Sequence, residues 1–140
     1  MTARGLASSL QTLEDAFAQF VRELYGSLLP RRLRELLILH IAWHAESELL
    51  WTVHLEQARP LGISDLQIAA IQQGQAEAFV FNSEESSLLR ILFDRRGPDY
   101  GEAWNRLTMH LSPEQIGQIF MTERFYLNIA TGLTRISRAP

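Results

Sequence analysis

The chain has 140 residues and a formal net charge of −3, and 46% of its residues are hydrophobic, as in one ordinary globular domain. Because it contains no cysteine, it cannot form a disulfide, a thiolate nucleophile, a zinc–thiolate site or an iron–sulfur cluster. All 13 basic residues are arginine, and the lack of lysine excludes a pyridoxal-phosphate Schiff base and a P-loop.

The charge pattern and the apolar stretches bear on partners and location. No basic patch of the kind that binds nucleic acid is present, and no polybasic run suggests an anionic membrane surface. No window approaches the ~20 apolar residues of a membrane span, and residues 1–9 lack the apolar region of a signal peptide. We therefore expect a cytoplasmic protein without nucleic-acid or membrane partners.

The first two helices are predicted from apolar periodicity. In the first, apolar residues recur at three- and four-residue spacing: Leu13, Phe17, Phe20, Val21 and Leu24. Gly26 and Pro30 then interrupt the pattern. A second helix is predicted from about Pro30 to Ala45, with Leu33, Leu36, Leu37 and Ile41 on its apolar face.

The next segment can be interpreted in two ways. Ser47 can cap a third helix, with Glu48 favourably placed in its first turn. Alternatively, the second and third helices form one long bent helix. In either case Pro60 and Gly62 end the segment.

Three later helices have clear start signals. Ser64 and Gln67 form a capping-box pattern that opens a short helix, which Gly74 ends. Asn82 begins a helix that is predicted to end near Arg95. A short amphipathic helix follows over 101–111, and Ser112-Pro-Glu-Gln opens a last helix that runs to about residue 136. We expect an all-α domain of six to seven helices over residues 1–140.

The middle of the chain carries polar and aromatic residues in a distinctive order. Glu35 is followed by a Glu-x-x-Trp-x-x-His run made of Glu48, Trp51 and His54, and then by Gly62 and a capped helix. In this order the chain resembles the carboxymuconolactone decarboxylase family, which also contains the alkylhydroperoxidase D-like proteins. It is closer to the cysteine-free branch of that family, where such a run is common.

The resemblance covers residues 13–136 and includes Tyr126 in the last helix. In the peroxidase branch a Cys-x-x-Cys pair lies between the glutamate and the histidine, and here those positions hold Ser47 and Leu50. The resemblance implies the alkylhydroperoxidase D-like helical fold and assembly into dimers, trimers or hexamers. It also implies a pocket between helices.

The resemblance places Glu35 and His54 in that pocket, where we predict that both are catalytic. A carboxylate that accepts from one imidazole nitrogen would leave the other nitrogen to shuttle a proton to the substrate. The alternative for Glu35 is an ion pair with Arg31 or Arg32 on the same helix. The alternative for His54 is a hydrogen-bonded, half-buried histidine.

Six further side chains are predicted to line the substrate pocket: Glu48, Trp51, Ser47, Trp43, Tyr126 and Glu123. Five of them have structural alternatives. Glu48 can be a solvated first-turn charge, and Ser47 a helix cap. Trp51 and Trp43 can pack in the core, or Trp43 against another subunit. Glu123 lies on the apolar stripe of the last helix and can instead sit at its edge with the carboxylate in water.

A metal site is considered at one place. His40, His44 and Glu48 lie at successive four-residue steps and would share a face of a continuous helix. A break at Ser47 would separate them. We expect neither a metal nor an organic cofactor, and we expect His110, which precedes a helix start, to be exposed.

These residues lead to a functional hypothesis and an alternative. The hypothesis is a cofactor-free lyase or isomerase that decarboxylates a small organic acid or lactone, or carries out a related proton transfer. The alternative is a non-catalytic ligand-binding or assembly protein that keeps the fold. A thiol peroxidase is disfavoured because cysteine is absent.

Overall fold

The computed structural model describes residues 2–77 and 79–138, and over these ranges the chain forms seven α-helices and no strand. In chain order the helices are α1 (Ala3–Tyr25), α2 (Arg31–His44), α3 (Glu48–Ala58), α4 (Asp65–Gln73), α5 (Ser83–Phe93), α6 (Tyr100–His110) and α7 (Pro113–Arg138). A single 3₁₀ turn, Arg59–Leu61, follows α3. The all-α prediction is confirmed. Within the described ranges, no helix combines the length and apolar character that crossing a bilayer requires.

Helix α2 lies at the centre of the core. It packs against α3, α4, α5 and α7, and its buried residues are Leu33, Glu35, Leu36, Leu37, Ile38, Leu39, Ile41 and Ala42. One carboxylate is therefore buried among seven apolar side chains. A buried carboxylate needs a hydrogen-bonding partner, so the position of Glu35 already requires a polar group on a neighbouring helix.

The helix ends follow local capping rules. The capping boxes at Ser64 and Asn82 both form, with each cap side chain accepting from the third helical N–H. Helix α5 ends at Phe93, two residues before the predicted end near Arg95, and the backbone of Asp94 is no longer helical. The chain turns between α2 and α3, which excludes one long helix. Ser47 occupies the cap position of α3 but makes no capping hydrogen bond.

The apolar residues whose spacing predicted α1 lie only partly on its buried face. Three residues of the predicted stripe are about half exposed: Leu13 (48%), Phe20 (53%) and Leu24 (55%). The buried positions of α1 are Leu10, Glu14 and Val21. These positions have the same helical spacing, and two residues belong to both stripes: Val21, and Phe17, which stacks on Phe125 of α7. The inner face of α1 thus carries a carboxylate in an otherwise apolar stripe.

Candidate functional site

Glu35 of α2 and His54 of α3 meet in the interior. The Nδ1 atom of His54 lies 2.7 Å from Oε2 of Glu35, and both side chains are almost completely buried. The two residues are 19 positions apart and come together because α2 and α3 pack side by side. The ion pair that was considered between Glu35 and Arg31 or Arg32 does not form. Instead Arg32 binds Glu85 of α5 at 2.9 Å.

A second carboxylate, Glu14 of α1, binds the other side of the imidazole. Nε2 of His54 donates to Oε1 of Glu14, and the hydroxyl of Tyr126 on α7 donates to the same oxygen at 2.7 Å. Nε2 is therefore not free to face a substrate, contrary to the expectation from the sequence. Sequence reasoning missed Glu14, although its four-residue spacing from Leu10 on an apolar stripe was a usable signal.

The environment of His54 favours its charged form. Burial by itself lowers the pKa of the imidazole, because a charge loses solvation in the interior. The hydrogen bonds and negative charges of Glu14 and Glu35 outweigh burial and raise that pKa from 6.5 to about 9. At neutral pH His54 is consequently an imidazolium, with each N–H donating to a carboxylate.

Tyr126 completes this network as a neutral donor. Burial raises the pKa of its phenol, and the adjacent charge of Glu14 raises it further. Its ring meets the imidazole of His54 edge to face, with ring centroids 5.5 Å apart. The hydroxyl therefore keeps its proton and helps to hold Glu14 in place.

The network lies in the wall of a partly open cavity of about 370 Å³, the imidazole cavity, which lies between α1, α2, α3 and α7. Glu14, Glu35, His54 and Tyr126 all line it. Three arginines also line it: Arg22 of α1, and Arg31 and Arg34 of α2. Their guanidinium groups have no hydrogen-bond or ion-pair partner among the described residues. The cavity thus combines a buried proton-carrying network with unpaired positive charge.

Four predicted pocket residues lie elsewhere. Trp43, Ser47, Glu48 and Trp51 line a separate pocket of about 450 Å³ at the junction of α2 and α3. Their predicted contact with substrate stays a prediction, but they do not line the cavity that holds His54. Among the predicted pocket residues, only Tyr126 joins Glu35 and His54 there.

Glu123 of α7 lines neither the imidazole cavity nor the pocket at the α2–α3 junction. Its carboxylate pairs with Arg95, which follows α5, and its side chain is 17% exposed. Glu123 is therefore a partly buried ion-pair partner on the stripe edge of α7, within the part of the chain that the structure describes.

The three residues considered as metal ligands, His40, His44 and Glu48, do not lie together on one helix face. The rings of His40 and His44 approach to 4.3 Å between centroids, but the turn at Ser47 places Glu48 on the next helix. Over residues 2–77 and 79–138, no group of three or more potential ligand side chains forms. His110 is exposed, as predicted, and lies 3.5 Å from Glu84.

Comparisons of the chain with family models, with curated proteins and with solved structures find no match in any of the three. The resemblance to the carboxymuconolactone decarboxylase family therefore stays a prediction from sequence.

Proposed function

We propose that the protein is a cofactor-independent acid–base enzyme that transfers a proton to or from a small carboxylic acid in the imidazole cavity. The observation that supports this proposal is the imidazole of His54, held between the buried carboxylates of Glu14 and Glu35. Burying three ionisable groups together is costly, and such clusters at a cavity wall are typical of sites where protons move.

The geometry suggests a different role for each group. Both nitrogens of His54 are occupied, so the imidazole acts through Glu14 instead of touching the substrate. Glu14 lines the cavity, and its Oε1 receives the bonds from His54 and Tyr126. No described residue binds its second oxygen, Oε2, which is available to the reacting atom. Glu35 orients the ring from the opposite side and keeps the proton on Nδ1.

Decarboxylation fits a network that holds an extra proton. When the substrate carboxylate leaves as CO₂, the electron pair of the broken C–C bond stays on the α-carbon as an enolate. Glu14 then delivers a proton to that carbon, having taken it from Nε2 of His54. Water returns a proton to the ring, so the net reaction consumes one proton for each CO₂ released. In a proton-shifting isomerisation, Glu14 would first remove a proton and later return it.

The arginines favour an anionic substrate. Arg31 and Arg34 are one helical turn apart on α2, and Arg22 approaches from α1. Unpaired guanidinium groups bind carboxylates through two parallel hydrogen bonds. Arg34 is close enough to Tyr126 for its charge to act on the pKa of the phenol, which places positive charge near the proton-carrying network. An acid bound by these arginines would lie beside Glu14.

The experiment is a reaction in D₂O followed by ¹H NMR, with 3-oxo acids and carboxylated lactones as substrates. We expect CO₂ release with one deuterium incorporated at the α-carbon. Glu14→Gln should lower the rate about 100-fold, the scale of one acid–base group. Glu56→Gln, an exposed carboxylate change on α3, is the matched control and should leave the rate unchanged.

Equal rates in Glu14→Gln, Glu56→Gln and the unaltered protein would contradict the acid–base proposal. If the acids still bind, with ¹H shifts at His54 but no exchange or CO₂ release, the cavity is a ligand-binding site without catalysis. Circular dichroism of each variant shows whether a lost rate reflects a lost fold.

A further inference from the structure

A second pocket lies where α2 ends and α3 begins. This corner pocket has a volume of about 450 Å³ and is lined by Ala42, Trp43, Glu46, Ser47, Glu48 and Trp51. None of its lining residues lines the imidazole cavity, so the proposed acid–base chemistry leaves it unexplained. Three features of its walls indicate the kind of ligand that it would bind.

The first feature is a pair of indole rings. Trp43 in the last turn of α2 and Trp51 in the first turn of α3 have centroids 5.2 Å apart and planes inclined by 53°. Trp43 is 42% exposed, although it is one of the largest apolar side chains in the protein. Indole faces are the aromatic surfaces that attract cations most strongly, and they also bind apolar chains.

The second feature is negative charge. Glu46 and Glu48 line the corner pocket, and no arginine or histidine lines it. Glu46 adopts a left-handed backbone with φ of 55°, the only positive φ at a non-glycine residue in the described part of the chain. Glycine would adopt this conformation without steric cost, yet this position carries a carboxylate. Glu48 thus leaves a carboxylate at the pocket wall that favours a cation over an anion.

The third feature is an unused hydroxyl. Ser47 is 3% exposed, and its Oγ has no hydrogen-bond partner among the described residues. It stands at the cap position of α3 without capping the helix. Buried hydroxyls are nearly always hydrogen-bonded, so an unpartnered one in a pocket wall is consistent with a ligand that supplies the donor.

We propose that the corner pocket binds a small organic ammonium ion with an apolar tail. The ammonium group lies near Glu48 and donates one N–H to Oγ of Ser47, while the tail packs on Trp43 and Trp51. This assignment is independent of the acid–base proposal, because the imidazole cavity carries unpaired arginines and selects the opposite charge.

The test uses hexylammonium as the probe, with hexanoate and hexanol as ligands of similar length and different charge. Two-dimensional ¹H–¹⁵N NMR resolves the three indole N–H groups, and single Trp→Phe variants assign them. Hexylammonium should shift the resonances of Trp43 and Trp51 and leave Trp104 of α6 unmoved as an internal control. Hexanoate should shift none of them. Equal shifts with hexylammonium and hexanoate, or none with hexylammonium, would overturn the proposal.

Variants separate binding from folding. Glu48→Gln removes an exposed carboxylate in the first turn of α3, so it should leave the melting temperature nearly unchanged while weakening hexylammonium about threefold or more. Ser47→Ala should also weaken it, whereas Glu56→Gln should not. Unchanged hexylammonium affinity in both Ser47→Ala and Glu48→Gln would also overturn the assignment. None of these outcomes depends on activity in the imidazole cavity.

Discussion

The carboxylate of Glu14 on α1 accepts a hydrogen bond from Nε2 of the buried His54 on α3. This bond joins the first helix to the centre of the molecule, where α1 otherwise inserts mainly apolar side chains such as Leu10. The same contact therefore contributes to packing and, under the proposed function, to proton transfer. A change at His54 should consequently affect both stability and proton transfer, and the two effects must be measured separately.

Removal of the imidazole should be strongly destabilising. In His54→Leu, the buried carboxylates of Glu14 and Glu35 lose their shared cation, and a broken buried ion pair typically costs about 3–5 kcal/mol. The free energy of unfolding can be measured by urea titration followed by circular dichroism at pH 7. Adding Glu14→Gln and Glu35→Gln to this variant should recover part of the loss. A loss below about 1 kcal/mol would show that the network is not a structural ion cluster.

Alkaline pH should lower the free energy of unfolding, because His54 loses its proton. Its pKa is raised from 6.5 to about 9 in the folded state, so the folded protein holds this proton more tightly. The resulting stabilisation, of about 3 kcal/mol, is fully present below pH 6.5 and is lost as the pH rises to about 9. An NMR titration of the His54 Cε1–H signal measures this pKa directly. Glu35→Gln should lower it, and a midpoint below pH 7 in the unaltered protein would contradict the expectation.

Acidic pH should lower the free energy of unfolding, because the buried His40 resists protonation in the folded chain. Burial lowers the pKa of this imidazole most, and the charges of His44 and Arg95 add to it, so that together they bring the pKa from 6.5 to about 3. Above pH 6.5 the ring is neutral in both the folded and the unfolded chain, so it does not change the free energy of unfolding. Below pH 6.5 the unfolded chain binds a proton at His40 that the folded chain does not bind. Stability then falls by about 1.4 kcal/mol per pH unit until about pH 3.

His40→Phe should therefore flatten the acid side of the stability profile, measured by urea unfolding between pH 6.5 and 4. His110→Gln, which changes an exposed histidine, should leave that slope as it is. Parallel acid slopes for His40→Phe and the unaltered protein would show that His40 becomes protonated without unfolding.

Substitutions of two adjacent arginines should affect different properties: Arg32→Met should lower stability, and Arg31→Met should weaken substrate binding. Arg32 binds the buried Glu85 and the carbonyl of Leu61, so Arg32→Met should cost about 3 kcal/mol. Arg31 is exposed and unpaired at the imidazole cavity, so Arg31→Met should change stability by less than about 0.5 kcal/mol. If carboxylic acids are the substrates, Arg31→Met should instead raise KM about tenfold, the scale of one lost carboxylate contact.

Urea unfolding and steady-state kinetics on the two arginine variants test this prediction. The reverse pattern, with Arg31→Met unstable and Arg32→Met deficient in binding, would contradict the roles assigned to these residues.

The helix starts were predictable because their causes are local. The capping boxes at Ser64 and Asn82 close within four residues, and so do the bonds between Ser112 and Gln115. Such hydrogen bonds depend on residues close in sequence and not on the other helices that pack against the segment. The division between α2 and α3 was among the alternatives that the sequence allowed, but the expected cap hydrogen bond of Ser47 does not form.

The neighbours of each site residue were harder to predict. Trp51 and His54 are three residues apart on α3, yet they line different pockets. Spacing along a helix determines which side chains are adjacent, but it does not determine which other helix covers each of them. His54 is covered by α1 and α2, whereas Trp51 faces the turn that leads into its own helix.

By itself, the sequence determined the all-helical fold, most helix boundaries and the lack of thiol chemistry, because periodicity, capping and composition are properties of short segments. It also indicated that Glu35 and His54 belong together. Only the tertiary structure decided that Glu14, 40 residues before His54, binds the second nitrogen. Two equally spaced stripes run along α1, and packing against α3 and α7 selected the stripe that carries the carboxylate.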